Sequence, residues 1–369
     1  MKLLRFFVFL LLLVSAETAR AQAARKYVNE FLHMGTGARA FAMGRAVVAT
    51  SNDAYAGYWN PAGLTAMKDD VQAAFMHASY YQGLANYDYL ALAAKGSNDD
   101  AFGFGVVRFG VDGILNTLDL IQNGQINYDR ISTFSAVDYG FFVNYAREKK
   151  LKRYRRSAFS YGSSMKVIHR RVGPFARAWG FSLDAGLRMD NPRSGITWGL
   201  MARDITSSYN AWEFRFTDAQ KDVLALTGNT IPRNSLEIGL PRVIGGLAKT
   251  IDRDRWLLTA EGNIDVTWDG RRNTIVRTGI FSLDPHAGAE FGYKLEAGDE
   301  DRILYLRTGV YNLQRETGPK GNQVWRAQPA AGIGLRIQSF TLDYAISGFG
   351  EAGTGLYSNL ISIRFGISK

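Results

Sequence analysis

From residue 69 to its end, the chain repeatedly alternates apolar and polar side chains with a period of two. Trp179, Phe181, Leu183, Ala185, Leu187 and Met189 are interleaved with Gly180, Ser182, Asp184, Gly186 and Arg188. Ile361, Ile363, Phe365 and Ile367 are interleaved with Ser362, Arg364 and Gly366. Successive side chains of a strand point to opposite faces, so each segment has one dry face and one polar face. The segments run about 10 residues, the length a tilted strand needs to cross a bilayer, whereas soluble strands average about 5–6. The polar faces carry full charges in mid-segment: Asp184, Glu290, Arg307, Arg336, Asp343 and Arg364. A wide barrel hydrates or pairs such charges in its interior; the packed core of a sandwich does not. The expected fold is therefore all-β, a transmembrane antiparallel 14-stranded β-barrel. A soluble two-sheet sandwich is the competing architecture.

Fourteen such segments can be marked, among them 101–111, 134–146, 195–204, 241–251, 286–295, 302–311 and 329–337. Bacterial barrels have even strand numbers, with short turns at one end and long loops at the other. Taking 71–81 as the first rising strand puts 112–133, 205–240, 266–285, 312–328 and 348–356 on the outer side. The inner side then receives 191–194, 252–254 and 338–339. Aromatics make up 13% of the chain and glycines number 39, against only 8 prolines. That balance favours strands over helices.

Lys2 and Arg5 precede the apolar run Phe6–Val14, and Ala19-Arg20-Ala21 offers a small-residue cleavage site. Residues 1–22 read as a secretory signal peptide. No stretch reaches the about 20 apolar residues of a transmembrane helix. Without cysteine, neither a disulfide framework nor a lipid-modified cysteine anchor is possible. An exported chain rarely meets nucleic acid, so the net charge of +10 points to solvent or lipid headgroups instead.

Residues 23–64 are rich in glycine and alanine and too poor in large apolar side chains to form a core alone. They read as an N-terminal hatch, or plug, folded against a barrel that fills 65–369. Gly35, Gly37 and Gly44 permit close backbone approach. The hatch ends on Trp59, Asn60, Pro61, Ala62 and Gly63. Pro61 restricts Asn60 to an extended conformation, and Asn60 can close an Asx-turn. The expected result is a sharp re-entry into the first strand.

Motifs that would carry catalysis are weak. His33, His77, His169 and His286 are isolated and lack metal-ligand spacing. Ser163-Ser164-Met165-Lys166 matches Ser-x-x-Lys, but on a strand positions three apart face opposite sides. Gly35-Thr36-Gly37-Ala38-Arg39-Ala40 mimics a dinucleotide loop without the parallel α/β unit such a loop needs. No enzyme activity, cofactor or metal is expected. One inner connection is strongly basic: Arg147, Lys149, Lys150, Lys152, Arg153, Arg155 and Arg156 surround a single acid. It suits a solvated turn at headgroup level or a dock for an acidic periplasmic partner. In the outer connection 205–240, Tyr209, Trp212, Phe214 and Phe216 offer rigid aromatic area of the kind that dominates protein interfaces. The same rings suit an intake groove for a lipid-like molecule.

The phrase FLHMGTGARAFAMGRAVVATSNDAYAGYWNPAGL (31–64) resembles the PorV/PorQ-like branch of Bacteroidetes outer-membrane proteins, within the FadL superfamily. LPRVIGGLAKTI (240–251) and AAGIGLRIQSFTLDYAISGFG (330–350) are similar to it too. The resemblance spans essentially the whole mature chain. It implies a fourteen-stranded barrel closed by an N-terminal hatch, to which Asn60, Pro61 and Ala62 carry over. PorV-like members bind exported proteins, the translocon or the surface-attachment machinery of type IX secretion. FadL-like members pass hydrophobic molecules inward through the hatch and a lateral gap. The N-terminal phrase implies the export role, with membrane lipid, translocon and secreted cargo as partners. A channel for a hydrophobic small molecule is the alternative. The ending Phe365-Gly366-Ile367-Ser368-Lys369 departs from the terminal aromatic common in such barrels.

Overall fold

A computed structural model describes residues 28–80, 83–122, 125–150, 157–268, 274–278, 280–298, 301–317, 322–347 and 358–368. The expected signal peptide lies outside them. Fourteen antiparallel strands form the wall. They are β1 (Val71–Tyr80), β2 (Ala85–Lys95), β3 (Asp100–Asn116), β4 (Ser132–Lys150), β5 (Ala158–Val172), β6 (Ala176–Asn191) and β7 (Ile196–Arg203). The circuit continues with β8 (Arg242–Asp252), β9 (Trp256–Thr267), β10 (Ser282–Lys294), β11 (Arg302–Thr317), β12 (Gln323–Ile337), β13 (Phe340–Ser347) and β14 (Ser358–Ile367). Each pairs with its neighbour in sequence. β14 returns to β1 in a register running from Val71↔Ile367 to Ser79↔Asn359, which closes the barrel. Closure satisfies the backbone groups that an open sheet edge would leave bare in lipid.

Alternation sorts the side chains. On β14, Leu360, Ser362 and Gly366 face the lumen and are buried, while Ile361, Ile363, Phe365 and Ile367 face outward and are exposed. Leu90, Phe104, Phe181, Leu247 and Leu306 continue this outward apolar belt around the barrel. Exposed apolar surface of that extent has lipid as its solvent. The charges expected on the polar face do point inward: Asp184, Glu290, Arg307 and Asp343 are buried, Arg336 and Arg364 half-buried.

Residues 28–67 lie inside the barrel. They form a 3-10 turn (Glu30–His33), α1 (Ala38–Ala42), α2 (Ala56–Trp59) and a second 3-10 turn (Pro61–Ala66). Their core is the barrel's own inner face. The Tyr58 ring meets those of Tyr89 and Phe142 at 6.1 and 5.8 Å, and Tyr55 stacks on Tyr89 at 5.7 Å. Elsewhere the hatch backbone itself touches the wall, and there the wall supplies glycine. A Cβ on Gly162 of β5 would stand 2.7 Å from the Ala62 nitrogen, and one on Gly309 of β11 would stand 2.7 Å from the Gly44 Cα. Both separations are shorter than real Cβ contacts, so only glycine permits the approach.

The strands depart from the expected spans at the outer end. β3 runs to Asn116 rather than 111 and β4 starts at Ser132 rather than 134, while β11 and β12 extend to Thr317 and back to Gln323. Register shifts between Val111 and Ile114, and between Tyr311 and Gln314, separate these ribbons from the membrane part. A bulge inserts a residue and moves the alternation out of phase, which hides the continuation from a period-two reading. The span 205–240 is likewise not a loop throughout. Ser208–Phe214 continues the line of β7 and pairs with β6 on one side and with Ser235–Gly239 on the other. The interruption falls where Asp204 and Ser207 adopt φ of 54° and 61°, and again at Pro241, which has no N–H for the ladder. Between the two extensions stands α3 (Asp218–Leu226), begun by a capping box of Thr217 and Gln220, with no buried side chain.

Candidate functional site

The hatch divides the lumen into an outer mouth and a chamber at the end of the short turns. Asn60 holds the middle of the hatch. Its backbone is extended (φ −161°, ψ 101°), and its side-chain oxygen accepts from the Ala62 N–H at 3.2 Å. Its side-chain nitrogen donates to the carbonyls of Val48 in the hatch and Leu187 on β6, both at 3.0 Å. Pro61 opens the second 3-10 turn, and buried chain continues through Met67 before β1 begins. The Asn60-Pro61 pair therefore pins the hatch to the wall and starts a turn, rather than leading directly into the strand. Trp59 is buried and donates from Nε1 to the Thr36 carbonyl at 2.8 Å. Ala62 lies against Gly162, and Gly63 packs on the Ser51 carbonyl.

Ion pairs fasten the hatch from below. Arg39 of α1 donates to Glu290 of β10 at 2.9 and 3.1 Å, and Arg307 of β11 donates to the same carboxylate at 2.6 Å and to Asp343 of β13 at 2.7 Å. Arg364 of β14 reaches Asp53 at 2.6 Å. Glu261 of β9 accepts from the Ala49 and Thr50 N–H groups and from the Thr50 hydroxyl at 2.6–3.0 Å. Burial works against the Arg39 charge, but the Glu290 carboxylate overrides it and raises the guanidinium above its ordinary value. Arg203 of β7 lies over the Tyr58 and Trp59 rings at 4.6 and 5.4 Å and donates to the Tyr58 carbonyl at 3.1 Å. The sequence marked the wall charges as lumen-facing but gave no sign that Arg39 and Asp53 answer them.

The outer mouth carries a row of contacting rings, stacked from Trp212 to Phe175 and edge-on between Phe175 and Phe134. Trp212 and Phe214 face inward from the continuation of β7, with ring centroids 5.9 Å apart. Phe216 follows at 6.4 Å, Phe175 at 5.7 Å from Phe216, and Phe134 of β4 at 5.2 Å from Phe175. Arg170 of β5 lies over Trp212 at 5.1 Å and over Phe31 of the hatch at 5.8 Å, held by Asp138 at 2.9 and 3.0 Å. Tyr209 is not part of the row: it faces the membrane side and is 42% exposed. Phe134 and Phe175 were not singled out by the sequence, because one comes from β4 and the other from the β5–β6 turn. Lys149 is exposed near the end of β4, and Lys150 ends that strand. Lys152, Arg153, Arg155 and Arg156 lie outside the described residues.

No protein-family model matches the chain, and no curated protein does. Solved structures do match. The toluene transporter TodX of Pseudomonas putida gives a TM-score of 0.52 at 14% identity, covering 91% of this chain and 99% of that one. The toluene transporter TbuX of Ralstonia pickettii gives 0.52 at 12% identity, covering 90% and 98%. A FadL homologue of Pseudomonas aeruginosa gives 0.51 at 14% identity, covering 89% and 97%. Identities this low establish a shared fold. With its apolar belt, the closed fourteen-strand barrel is an outer-membrane protein.

Proposed function

We propose that this barrel admits hydrophobic small molecules at its outer mouth and that the hatch governs their passage. The observation that carries the reading is the aromatic row at the outer mouth, which runs from Phe134 to Trp212, where Arg170 lies over both the Trp212 ring and Phe31 of the hatch. Rigid rings, half-buried except for the buried Phe175, offer an apolar surface at low entropy cost. The named toluene transporters share the fold, which adds support. The test is binding of toluene and of a fluorescent fatty acid by the purified barrel in detergent. Replacing Trp212 and Phe214 together with alanine lowers the affinity for at least one of them about tenfold, or about 1.4 kcal/mol. Unchanged affinity for both removes the reading.

A second reading has its own observation. Ion pairs seal the lower hatch against the wall, and the chamber beneath is polar, which suits a rigid scaffold better than an open pore. Such a scaffold, holding exported proteins or a type IX translocon on its long outer segments, retains its partners through affinity purification from native membranes. Isolation of the barrel alone, with cargo secretion intact after deletion, rejects it.

A further inference from the structure

Beneath the hatch lies a chamber of about 770 Å³, roofed by Arg39, Thr50 and Asp53 and floored by the β6–β7 and β8–β9 turns. The short turns mark this as the periplasmic end. Among the described residues, seven inward-facing or turn cations and five carboxylates line it, an excess of two positive charges; Lys249 meets it only from the outward row of β8. The carboxylates are engaged. Glu290 and Asp343 serve Arg39 and Arg307, Asp53 serves Arg364, Asp252 accepts from Lys294 at 2.7 Å, and Asp190 accepts from Thr197 at 2.8 Å.

Three of the inward-facing or turn cations have no carboxylate partner among the described residues: Arg193, Arg253 and Arg336. Arg336 donates to the Gln338 carbonyl at 3.2 Å and Arg253 to the Asp252 carbonyl at 3.1 Å. Carbonyls leave the charge itself uncompensated. The cations form two groups. Arg336 shares a row across β12, β13 and β14 with Thr341 and with Arg364, whose charge Asp53 already answers. Arg193 and Arg253 come from the β6–β7 and β8–β9 turns.

We infer that this chamber is a binding site for a small molecule bearing two or more anionic groups, carboxylates or phosphates, drawn in by its uncompensated arginines. Guanidinium groups present paired donors that match either group, and a cleft lined by one sign of charge concentrates the opposite sign. The site lies on the far side of the hatch from the aromatic row and does not rest on the intake reading.

The test is calorimetric titration of the full-length mature barrel in detergent, with citrate and pyrophosphate as probes and acetate as the single-charge control. At least one of the two polyvalent anions binds at least tenfold more tightly than acetate, and whichever it is identifies the group. Affinity falls as salt rises. Arg336→Gln with Arg253→Gln lowers that affinity at least tenfold. Arg253→Gln alone, at an exposed turn position, lowers it severalfold and guards against misfolding of the double variant. Arg171→Gln, exposed at the outer end of β5, leaves it unchanged. If neither anion outbinds acetate, or if the Arg253 and double variants bind like the wild type, the site does not exist.

Discussion

Glu290 accepts from two arginines that belong to different parts of the molecule, Arg39 of the hatch and Arg307 of the wall. Removing one partner of a buried ionic cluster leaves the other charges uncompensated, which costs about 3–5 kcal/mol. Glu290→Gln is therefore expected to lower stability by about that much, read as a drop in the denaturant midpoint of the barrel in detergent. A loss under about 1 kcal/mol would mean that the hatch is fastened elsewhere. Gly309→Ala tests the opposite kind of contact. Its new methyl meets the Gly44 backbone, with an overpacking cost of about 1–3 kcal/mol. Ladder bonds on both sides hold the β11 backbone, so the hatch is the part that yields. Limited proteolysis should cut within 38–48 faster than in the wild type, with the unheated barrel still migrating as a compact species. Equal cutting rates would show that the hatch has slack there. How legible these residues were depends on distance along the chain. The Asn60-to-Ala62 turn spans two residues and follows from residue type alone. The Arg39–Glu290 pair spans 251 residues, and nothing local to either end announces the other.

At the scale of elements, the strands that cross lipid were legible because every second side chain must face the belt, which imposes period two. Beyond the membrane the requirement lapses. The ribbons past Val111 and Tyr311 and the extension Ser208–Phe214 carry bulges or left-handed residues at their bases, and the alternation slips there. Had 208–214 been recognised as a strand, parity would have set Tyr209 apart from Trp212 and Phe214. Phe175 joins the row because Ala176 pairs with Phe214 and the Arg215 N–H donates to the Phe175 carbonyl at 2.7 Å, and Phe134 because β4 pairs with β5; no single segment encodes these neighbours. α3 shows how far an element can form on local signals alone. Its capping box is complete, yet it buries nothing. Deleting Asp218–Leu226 and bridging the gap with a short flexible link should change the unfolding midpoint by no more than about 0.5 kcal/mol equivalent. A larger loss would reveal a packing role for the helix.

For the whole molecule, the barrel inverts the arrangement of a soluble protein: its apolar belt faces out and its charges face in. The seven tryptophans sample both environments. Trp198 lies on the outward face of β7, 37% exposed and opposite Leu247 of β8, whereas Trp59 is 4% exposed within the hatch. Both are indoles in apolar surroundings, so emission wavelength alone separates them poorly. Contact with acyl chains does separate them. In variants that keep only one tryptophan, reconstituted in vesicles of brominated phospholipid, Trp198 should be quenched strongly and Trp59 hardly at all. Aqueous acrylamide then completes the comparison. It should reach neither residue well, because lipid covers the first and the lumen wall covers the second. The pattern belongs to a closed barrel with a filled lumen and to no simpler arrangement. A two-sheet sandwich exposes Trp198 to acrylamide, and a hatch hanging free in the periplasm exposes Trp59.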